Sequence, residues 1–150
     1  MVFTYLMQLG AVGLFLICIL SASIFPLPSE PAVVAALAVL SVPLVAAITF
    51  AGWMIGATIN WFIGKKGIHR FVARDKKMER KAEKWFDRWG PAILVVATWI
   101  PFIGDPLTVV AGALDMPLKR FLLWAGVARI IKVAVLVLLG KELLLLLGVM

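Results

Sequence analysis

The sequence predicts an all-α integral membrane protein, built as an inverted repeat with two oppositely facing re-entrant helical hairpins, spanning helices and an interfacial amphipathic helix. Three observations lead to this fold class. Hydrophobic residues make up 63% of the chain and charged residues only 15%, which is far outside the range of soluble globular domains. A proline-flanked acid occurs once in each half of the chain, as Glu30 and Asp105. A strongly basic segment separates the two halves.

The first half contains two apolar runs that are long enough to cross a membrane. Glu30 is the only charged residue before Lys65, so residues 1–29 and 31–64 each exceed the roughly 20 apolar residues that a membrane span requires. The uncharged start lacks the basic residues that begin a cleavable signal peptide, and we expect the N-terminus to remain in the mature protein. The predicted elements are a first apolar helix over residues 2–20, a re-entrant hairpin over 21–40 and a spanning helix over 43–64.

The two acids lie in matching segments. Residues 26–31 read Pro-Leu-Pro-Ser-Glu-Pro and residues 101–106 read Pro-Phe-Ile-Gly-Asp-Pro. Proline lacks an amide proton and disfavours helical geometry in the residue before it, so a helix cannot run straight through either segment. Non-helical backbone at membrane depth survives only where protein or a watery cavity surrounds it, which favours re-entrant hairpins. The predicted hairpin-breaking residues are Pro26, Pro28, Pro31, Pro101, Gly104 and Pro106.

Glu30 and Asp105 are expected at the N-termini of helices, since the proline that follows each one suits the first helical position. There the helix dipole favours the anionic form of a carboxylate. A carboxylate at membrane depth is costly unless it pairs, takes a proton or faces water. We therefore predict a proton-coupling or gating role for both acids, with a purely structural cap as the alternative.

The second half repeats the plan of the first. Residues 75–89 take the place of the first helix but are amphipathic, with Trp85 and Trp89 suited to the headgroup zone and the basic residues suited to an anionic inner leaflet. The remaining predicted elements are a hairpin over 91–114, a spanning helix over 117–139 and an apolar tail over 143–150 whose placement is left open. The whole chain, 1–150, is predicted as a single membrane domain, with repeat one at about 1–64, an amphipathic linker helix at about 65–90 and repeat two at about 75–140.

The basic segment sets the expected orientation. Residues 65–88 contain ten Lys or Arg against four Asp or Glu, which predicts a cytoplasmic location for the loop of about 65–90. The second hairpin then starts and ends inside, as the positive-inside tendency prefers for Lys119 and Arg120. The first hairpin enters from outside, so the two acids meet near the midplane, where inverted-repeat transporters commonly place their sites. The expected location is the plasma (inner) membrane of a prokaryote, with several passes.

Arg129 and Lys132 are the cations that these acids could pair with. They lie near the middle of the last predicted span, three residues apart and hence on one helix face. Their candidate partners are the two hairpin acids or the phosphate of a lipid headgroup, which arginine can bind bidentately and lysine as a point charge. A structural ion pair, or snorkelling to the interface, is the alternative.

Small residues recur every four positions in the second span, as Gly52, Gly56, Asn60 and Gly64. This spacing predicts one face for close helix packing, and Asn60 could also line a cavity. Gly112 in the second hairpin is assigned to the same packing or cavity-lining group.

Catalytic motifs are missing from the sequence. Cys18 is the only cysteine and His69 the only histidine, which excludes most catalytic triads, zinc sites and intrachain disulfides. The basic segment lacks interleaved stacking aromatics, and this argues against nucleic-acid binding. We expect no enzyme activity, no metal, no cofactor and no nucleic-acid partner.

The chain resembles the DedA family, also called SNARE-associated or VTT-domain proteins, and most closely its short YqaA-like branch. The likeness extends over roughly residues 20–135. It is carried by Pro28-Ser29-Glu30, the helix from Gly52 to Gly64, Trp89-Gly90-Pro91, the run from Pro101 to Asp105, Ala111-Gly112 and Met116-Pro117.

The resemblance implies two oppositely facing re-entrant hairpins and a role in moving lipids between leaflets. Family members are implicated in recycling undecaprenyl phosphate, in flipping phosphatidylethanolamine and in proton-dependent membrane homeostasis, and eukaryotic relatives scramble phospholipids. Thr98 and Gly104 stand where the better-studied branch carries arginines. Arg129 and Lys132 are therefore the candidates to supply positive charge in this chain.

The leading functional hypothesis is a lipid transporter, a flippase or scramblase that moves phospholipid or polyprenyl phosphate and is coupled to protons. Two alternatives stay open, a proton- or sodium-coupled carrier of a small solute and a non-transporting membrane scaffold. The expected partners are membrane lipids with phosphate headgroups and protons, and the features are also compatible with a homo-oligomer.

Overall fold

A computed structural model describes residues 10–23, 28–66, 76–100 and 104–149, and every regular element among them is a helix. The predicted all-α class is confirmed for this part of the chain. The elements are α1 (Ala11–Ala22), α2 (Glu30–Leu37), α3 (Val42–Lys65), α4 (Lys76–Trp89), a 3₁₀ turn (Gly90–Ala92), α5 (Ile93–Ala97), α6 (Gly104–Ala113) and α7 (Leu118–Leu146).

Among the helices that the structure describes, α3 and α7 are long and apolar enough to cross a membrane. They contain 24 and 29 residues and reach mean hydropathies of 1.8 and 2.2. At 1.5 Å per residue their lengths are about 36 and 44 Å, against roughly 30 Å for the hydrocarbon core of a bilayer. They correspond to the spans predicted over 43–64 and 117–139.

The last helix runs further than the sequence predicted. It continues through Gly140 to Leu146 and so takes in part of the tail that the sequence left unplaced. A side chain at Gly140 would meet α2, since an added Cβ would lie 3.0 Å from Leu37 Cδ1 and 3.2 Å from Val34 Cγ2. The glycine therefore allows α2 to pack closely against α7.

The remaining elements follow the predicted order. Helix α1 covers the described part of the first predicted helix and extends to Ala22, while residues 1–9 lie outside the described residues. Helix α4 matches the predicted amphipathic helix to within one residue. Pro26, Pro101 and His69 lie outside the described residues.

Helix α3 occupies the centre of the molecule and packs against α1, α6 and α7. Buried side chains form two clusters. The first joins α1, α2 and the N-terminal half of α3 to the C-terminal half of α7. The second joins α4, α5, α6 and the C-terminal half of α3 to the N-terminal half of α7. The two long helices therefore connect two separate cores.

Apolar side chains cover much of the exterior of α7. Leu123, Ile130 and Leu138 have 64%, 58% and 65% of their surface exposed. A soluble protein seldom presents such a continuous apolar surface to water. This surface suits contact with the acyl chains of a membrane.

Asp115, between α6 and α7, adopts a left-handed conformation with a φ of 55°. The N–H groups of Asp115 and Met116 donate to the carbonyls of Gly112 and Ala111, both at 3.1 Å, which is the Schellman arrangement that usually places glycine at this position.

We expect Asp115→Gly to raise the unfolding free energy in detergent by about 0.5–1 kcal/mol, since glycine adopts positive φ without strain. Asp115→Ala is the control, and equal unfolding midpoints for the two variants would contradict the prediction.

Candidate functional site

The two proline-flanked acids lie in the first turns of short helices. Helix α2 begins at Glu30, and Asp105 is the second residue of α6. Pro31 and Pro106 follow directly, within the first turn where proline is tolerated because the first amide protons have no helical acceptor. Both carboxylates thus sit at the positive ends of their helices.

Arg129 and Lys132 bring the two acids together on one face of α7. The Arg129 Nη2 donates to Asp105 Oδ1 at 3.2 Å, and the Lys132 Nζ donates to Glu30 Oε1 at 2.9 Å. Each ion pair joins α7 to one of the short helices. The four charged residues that the sequence singled out therefore form a single cluster.

The two ion pairs differ in how deeply they are buried. In the first pair the side chains of Arg129 and Asp105 are 7% and 31% exposed, and in the second those of Lys132 and Glu30 are 18% and 44% exposed. The carboxylates are thus more accessible than the cations. An accessible carboxylate can exchange its partner for water or a ligand at lower cost than one that is fully desolvated.

Trp53 of α3 lies against both cations. Its ring centroid is 4.9 Å from Lys132 Nζ and 5.8 Å from Arg129 Cζ, within the range of cation–π attraction. The indole is 1% exposed, and its Nε1 donates to Ser29 Oγ at 3.1 Å. Ser21 Oγ donates to the same Ser29 oxygen at 2.9 Å.

No pattern in the sequence predicted a site role for Trp53, Ser21 or Ser29. A signal for Trp53 exists in its position, near the middle of a 24-residue apolar helix, whereas tryptophans of membrane proteins concentrate at the interfaces. The partners of the two serines depend on how α1, α2 and α3 meet, which no local pattern specifies.

The charged cluster faces a cavity of about 490 Å³, a volume typical of small-molecule sites. Its charged lining residues are Glu30, Asp105, Arg129 and Lys132, and Ser21 and Ser29 add hydroxyl groups. The apolar lining residues include Ala22, Trp53, Trp99, Ile100, Val135, Leu136 and Leu139. The cavity is thus lined by both charged and hydrocarbon groups. Pro28, Thr98 and Gly104 also reach the cavity.

The glycine face of α3 packs against two different helices. A Cβ added at Gly52 or Gly56 would lie 2.6 Å from Cys18 Cβ or Ala22 Cβ of α1. A Cβ at Gly64 would meet the Val109 carbonyl of α6. Gly112 of α6 occupies the reciprocal position, where a Cβ would meet the Trp61 carbonyl of α3.

Asn60 lies between these two glycine contacts. Its Nδ2 donates to the Ala22 carbonyl at 2.8 Å and to Thr108 Oγ1 at 3.1 Å, so it links α1 to α6. Asn60 is 1% exposed and is not part of the cavity lining. Its position is that of a packing residue.

Metal ligands are not clustered in the part of the chain that the structure describes. No group of three or more His, Cys, Asp or Glu side chains is placed there to hold a metal ion.

Known proteins are similar to this chain over most of its length. The family model of the VTT domain matches residues 27–142. The uncharacterized membrane protein YbfM of Bacillus subtilis is 26% identical over 145 residues, covering 88% of this chain and 89% of that protein. The uncharacterized protein MJ0201 of Methanocaldococcus jannaschii is 23% identical over 126 residues, covering 82% and 79%.

A third relative is matched over part of its length. An alkaline phosphatase-like protein of Lactococcus lactis is 35% identical over 104 residues, which cover 61% of this chain and 49% of that protein. The chain therefore spans about half of it. No solved structure matches.

Proposed function

The chain belongs to the VTT-domain (DedA) family of membrane proteins, as its motifs predicted, and on that premise we propose that it moves lipids with phosphate headgroups between the leaflets of a membrane. The supporting observation is the cavity, which is lined by two ion pairs and also by Val135, Leu136 and Leu139 of a helix long enough to span the bilayer. A phosphate-headed lipid has the same two-part chemistry, an anion joined to hydrocarbon. Phospholipids and polyprenyl phosphates share it.

The charges along α7 support a site near the membrane midplane. Arg129 lies nine residues after Arg120, and Lys132 lies nine residues before Lys141. At 1.5 Å per residue, each member of the cluster is about 14 Å from one of these outer charges, and the outer charges are about 32 Å apart. That separation matches the roughly 30 Å of a hydrocarbon core.

We further propose that α2 and α6 belong to re-entrant hairpins of an inverted repeat. Both begin at the midplane cluster, and the two hydrophobic cores lie at opposite ends of α3 and α7. The basic segment of about 65–90 would then lie on the cytoplasmic side of a prokaryotic inner membrane, in agreement with the positive-inside rule.

In the proposed mechanism a lipid phosphate replaces a carboxylate as partner of Arg129 and Lys132. One guanidinium N–H donates to Asp105, and a guanidinium has five, so donors remain for a phosphate oxygen. The displaced carboxylate of Glu30 or Asp105 is hydrated in the cavity or takes a proton. The acyl or prenyl chain lies along Val135, Leu136 and Leu139 and stays in contact with the bilayer.

Neutralising both acids tests this proposal. The purified protein is reconstituted into liposomes whose inner leaflet contains a fluorescent phospholipid or a labelled polyprenyl phosphate. Flipping moves the labelled lipid to the outer leaflet, where an external quencher removes its fluorescence. We expect Glu30→Gln with Asp105→Asn to slow this by about tenfold or more, equivalent to about 1.4 kcal/mol in the barrier, because the carboxylates can no longer alternate between cation and proton. Glu142→Gln changes an exposed acid of α7, away from the cavity lining, and is the control.

The outcomes separate lipid transport from the two alternatives. Unchanged flipping in the double variant would reject the proposed role of the acids. No flipping by the wild-type protein, together with proton- or sodium-driven uptake of a small solute, would favour the solute carrier. Variants that change only thermal stability would favour a scaffold.

A further inference from the structure

Trp53 is an uncharged side chain that contacts both cations of the site. Lys132 and Arg129 each bond to a different carboxylate, yet both lie within 6 Å of the same ring. Arg129 belongs with Asp105 of α6 and Lys132 with Glu30 of α2. The indole is therefore common to two ion pairs that otherwise share no partner.

An aromatic face and a carboxylate hold a cation in different ways. A carboxylate accepts hydrogen bonds from the N–H groups and competes directly with phosphate for them. An aromatic face attracts the charge through the ring quadrupole and leaves those N–H groups directed elsewhere. A cation against Trp53 can therefore change its anionic partner while it keeps its position.

Without such a contact, the side chains of Arg129 and Lys132 could turn away from the cavity. Lysine and arginine are long and flexible, and near apolar surroundings they extend toward water when they lose a partner. Trp53 itself cannot follow them, because it is 1% exposed and its Nε1 is fixed by Ser29 Oγ at 3.1 Å. Ser29 directly precedes Glu30, so the indole is also tied to the start of α2.

We propose that Trp53 is a positioning residue that keeps Arg129 and Lys132 directed into the cavity when Glu30 and Asp105 release them, and that it thereby sets the affinity of the site for a phosphate headgroup. This inference rests on the proposed lipid-transport function. A positioning role requires an aromatic face at residue 53, whereas a residue that only fills the core requires no more than an apolar side chain of similar volume.

Three substitutions separate the aromatic face from the hydrogen bond and from the packing. Trp53→Phe keeps a ring and loses the N–H, Trp53→Leu keeps an apolar side chain and loses the ring, and Ser29→Ala keeps the indole and removes its acceptor. Trp61→Leu is the matched control. Trp61 lies eight residues further along the same helix, has Lys65 Nζ 4.9 Å from its ring and donates to the Met116 carbonyl, but it is not part of the cavity lining.

The measurement is calorimetric binding of dihexanoyl phosphatidic acid to the detergent-purified protein, with dihexanoylglycerol as the phosphate-free probe and inorganic phosphate as the lipid-free probe. We expect Trp53→Leu to weaken lipid binding by about tenfold, the scale of one or two cation–π contacts. Trp53→Phe should stay within about threefold of wild type, and Ser29→Ala should weaken binding less than Trp53→Leu does because the ring remains. Trp61→Leu should not change the affinity. Binding of inorganic phosphate with equal affinity would assign the site to free phosphate and overturn the lipid specificity.

Fluorinated tryptophan gives a second test that preserves the shape of the residue. Fluorine withdraws electron density from the ring face, so affinity should fall stepwise with the number of fluorines in the wild-type protein and stay constant in the Trp53→Phe background. Equal affinities of wild type, Trp53→Leu and the fluorinated proteins would overturn the role of Trp53 and leave lipid transport standing. Absence of any phosphate-lipid binding by the wild type would overturn both.

Discussion

Lys132→Glu is expected to reduce lipid flipping by about a hundredfold or more, the largest functional effect of any single change in the site. The substitution removes one of the two proposed phosphate-binding cations and places a second carboxylate on the α7 position whose Nζ now pairs with Glu30 Oε1 at 2.9 Å. Two neighbouring carboxylates repel each other and cannot both remain ionised without water. A hundredfold loss corresponds to about 2.7 kcal/mol in the barrier. The liposome assay measures it, with Lys141→Glu as the control at an exposed position of α7.

Exchanging the charges of Lys132 and Glu30 separates the structural role of this ion pair from its role in transport. Lys132→Glu combined with Glu30→Lys recreates an ion pair between α2 and α7 but moves the cation off the helix that carries Arg129. We expect the unfolding midpoint to recover while flipping stays low, because the phosphate then meets one cation in place instead of two. Full recovery of flipping by the reversed pair would show that the ion pair serves stability alone.

Local patterns in the sequence predicted the four charged residues of the cluster, but not the side chains that pack around them. Proline after each acid limits where a helix can begin, so the positions of Glu30 and Asp105 at helix starts could be derived from backbone chemistry. Arg129 and Lys132 could be paired with them because buried charges require partners. The hairpins and the inverted repeat remain predictions.

Other features depend on which segments meet, and no local rule specifies that. The sequence predicted the last span only to residue 139, but α7 continues through Gly140, which lies against Val34 and Leu37 from about a hundred residues earlier. Trp53 was overlooked for the same reason, since its cations come from another helix. The contacts of Asn60 likewise arise only where α1 and α6 meet α3.

Gly112→Ala is expected to destabilise the protein by about 3 kcal/mol, at the upper end of the usual range for an overpacked core. The new Cβ would meet the Trp61 carbonyl, with Lys65 N only 3.0 Å away. Both are backbone atoms of α3, so no side chain can rotate out of the way and the two helices must separate. The fall in the unfolding midpoint in detergent should be about 6–12 °C for a chain of this size.

Gly126→Ala provides the matched comparison, because it adds the same methyl group to a helical glycine with nothing within 4 Å. There we expect a gain of about 0.5–1 kcal/mol, since alanine loses less conformational entropy than glycine in a helix. Equal effects of the two substitutions would mean that the α3–α6 crossing is looser than the structure shows.

The reciprocal glycine completes the test of this crossing. Gly64→Ala places its methyl group against the Val109 carbonyl and 2.9 Å from Ala113 N, so Gly64 and Gly112 govern the same separation between α3 and α6. Once one Cβ has forced the helices apart, the second requires little further movement, and the double variant should be less destabilised than the two single effects combined. Because α6 carries Asp105, the separation should also weaken its pair with Arg129, and flipping should fall in proportion to the displacement. Additive losses of stability, or normal flipping in a destabilised variant, would show that the crossing and the charged cluster are independent.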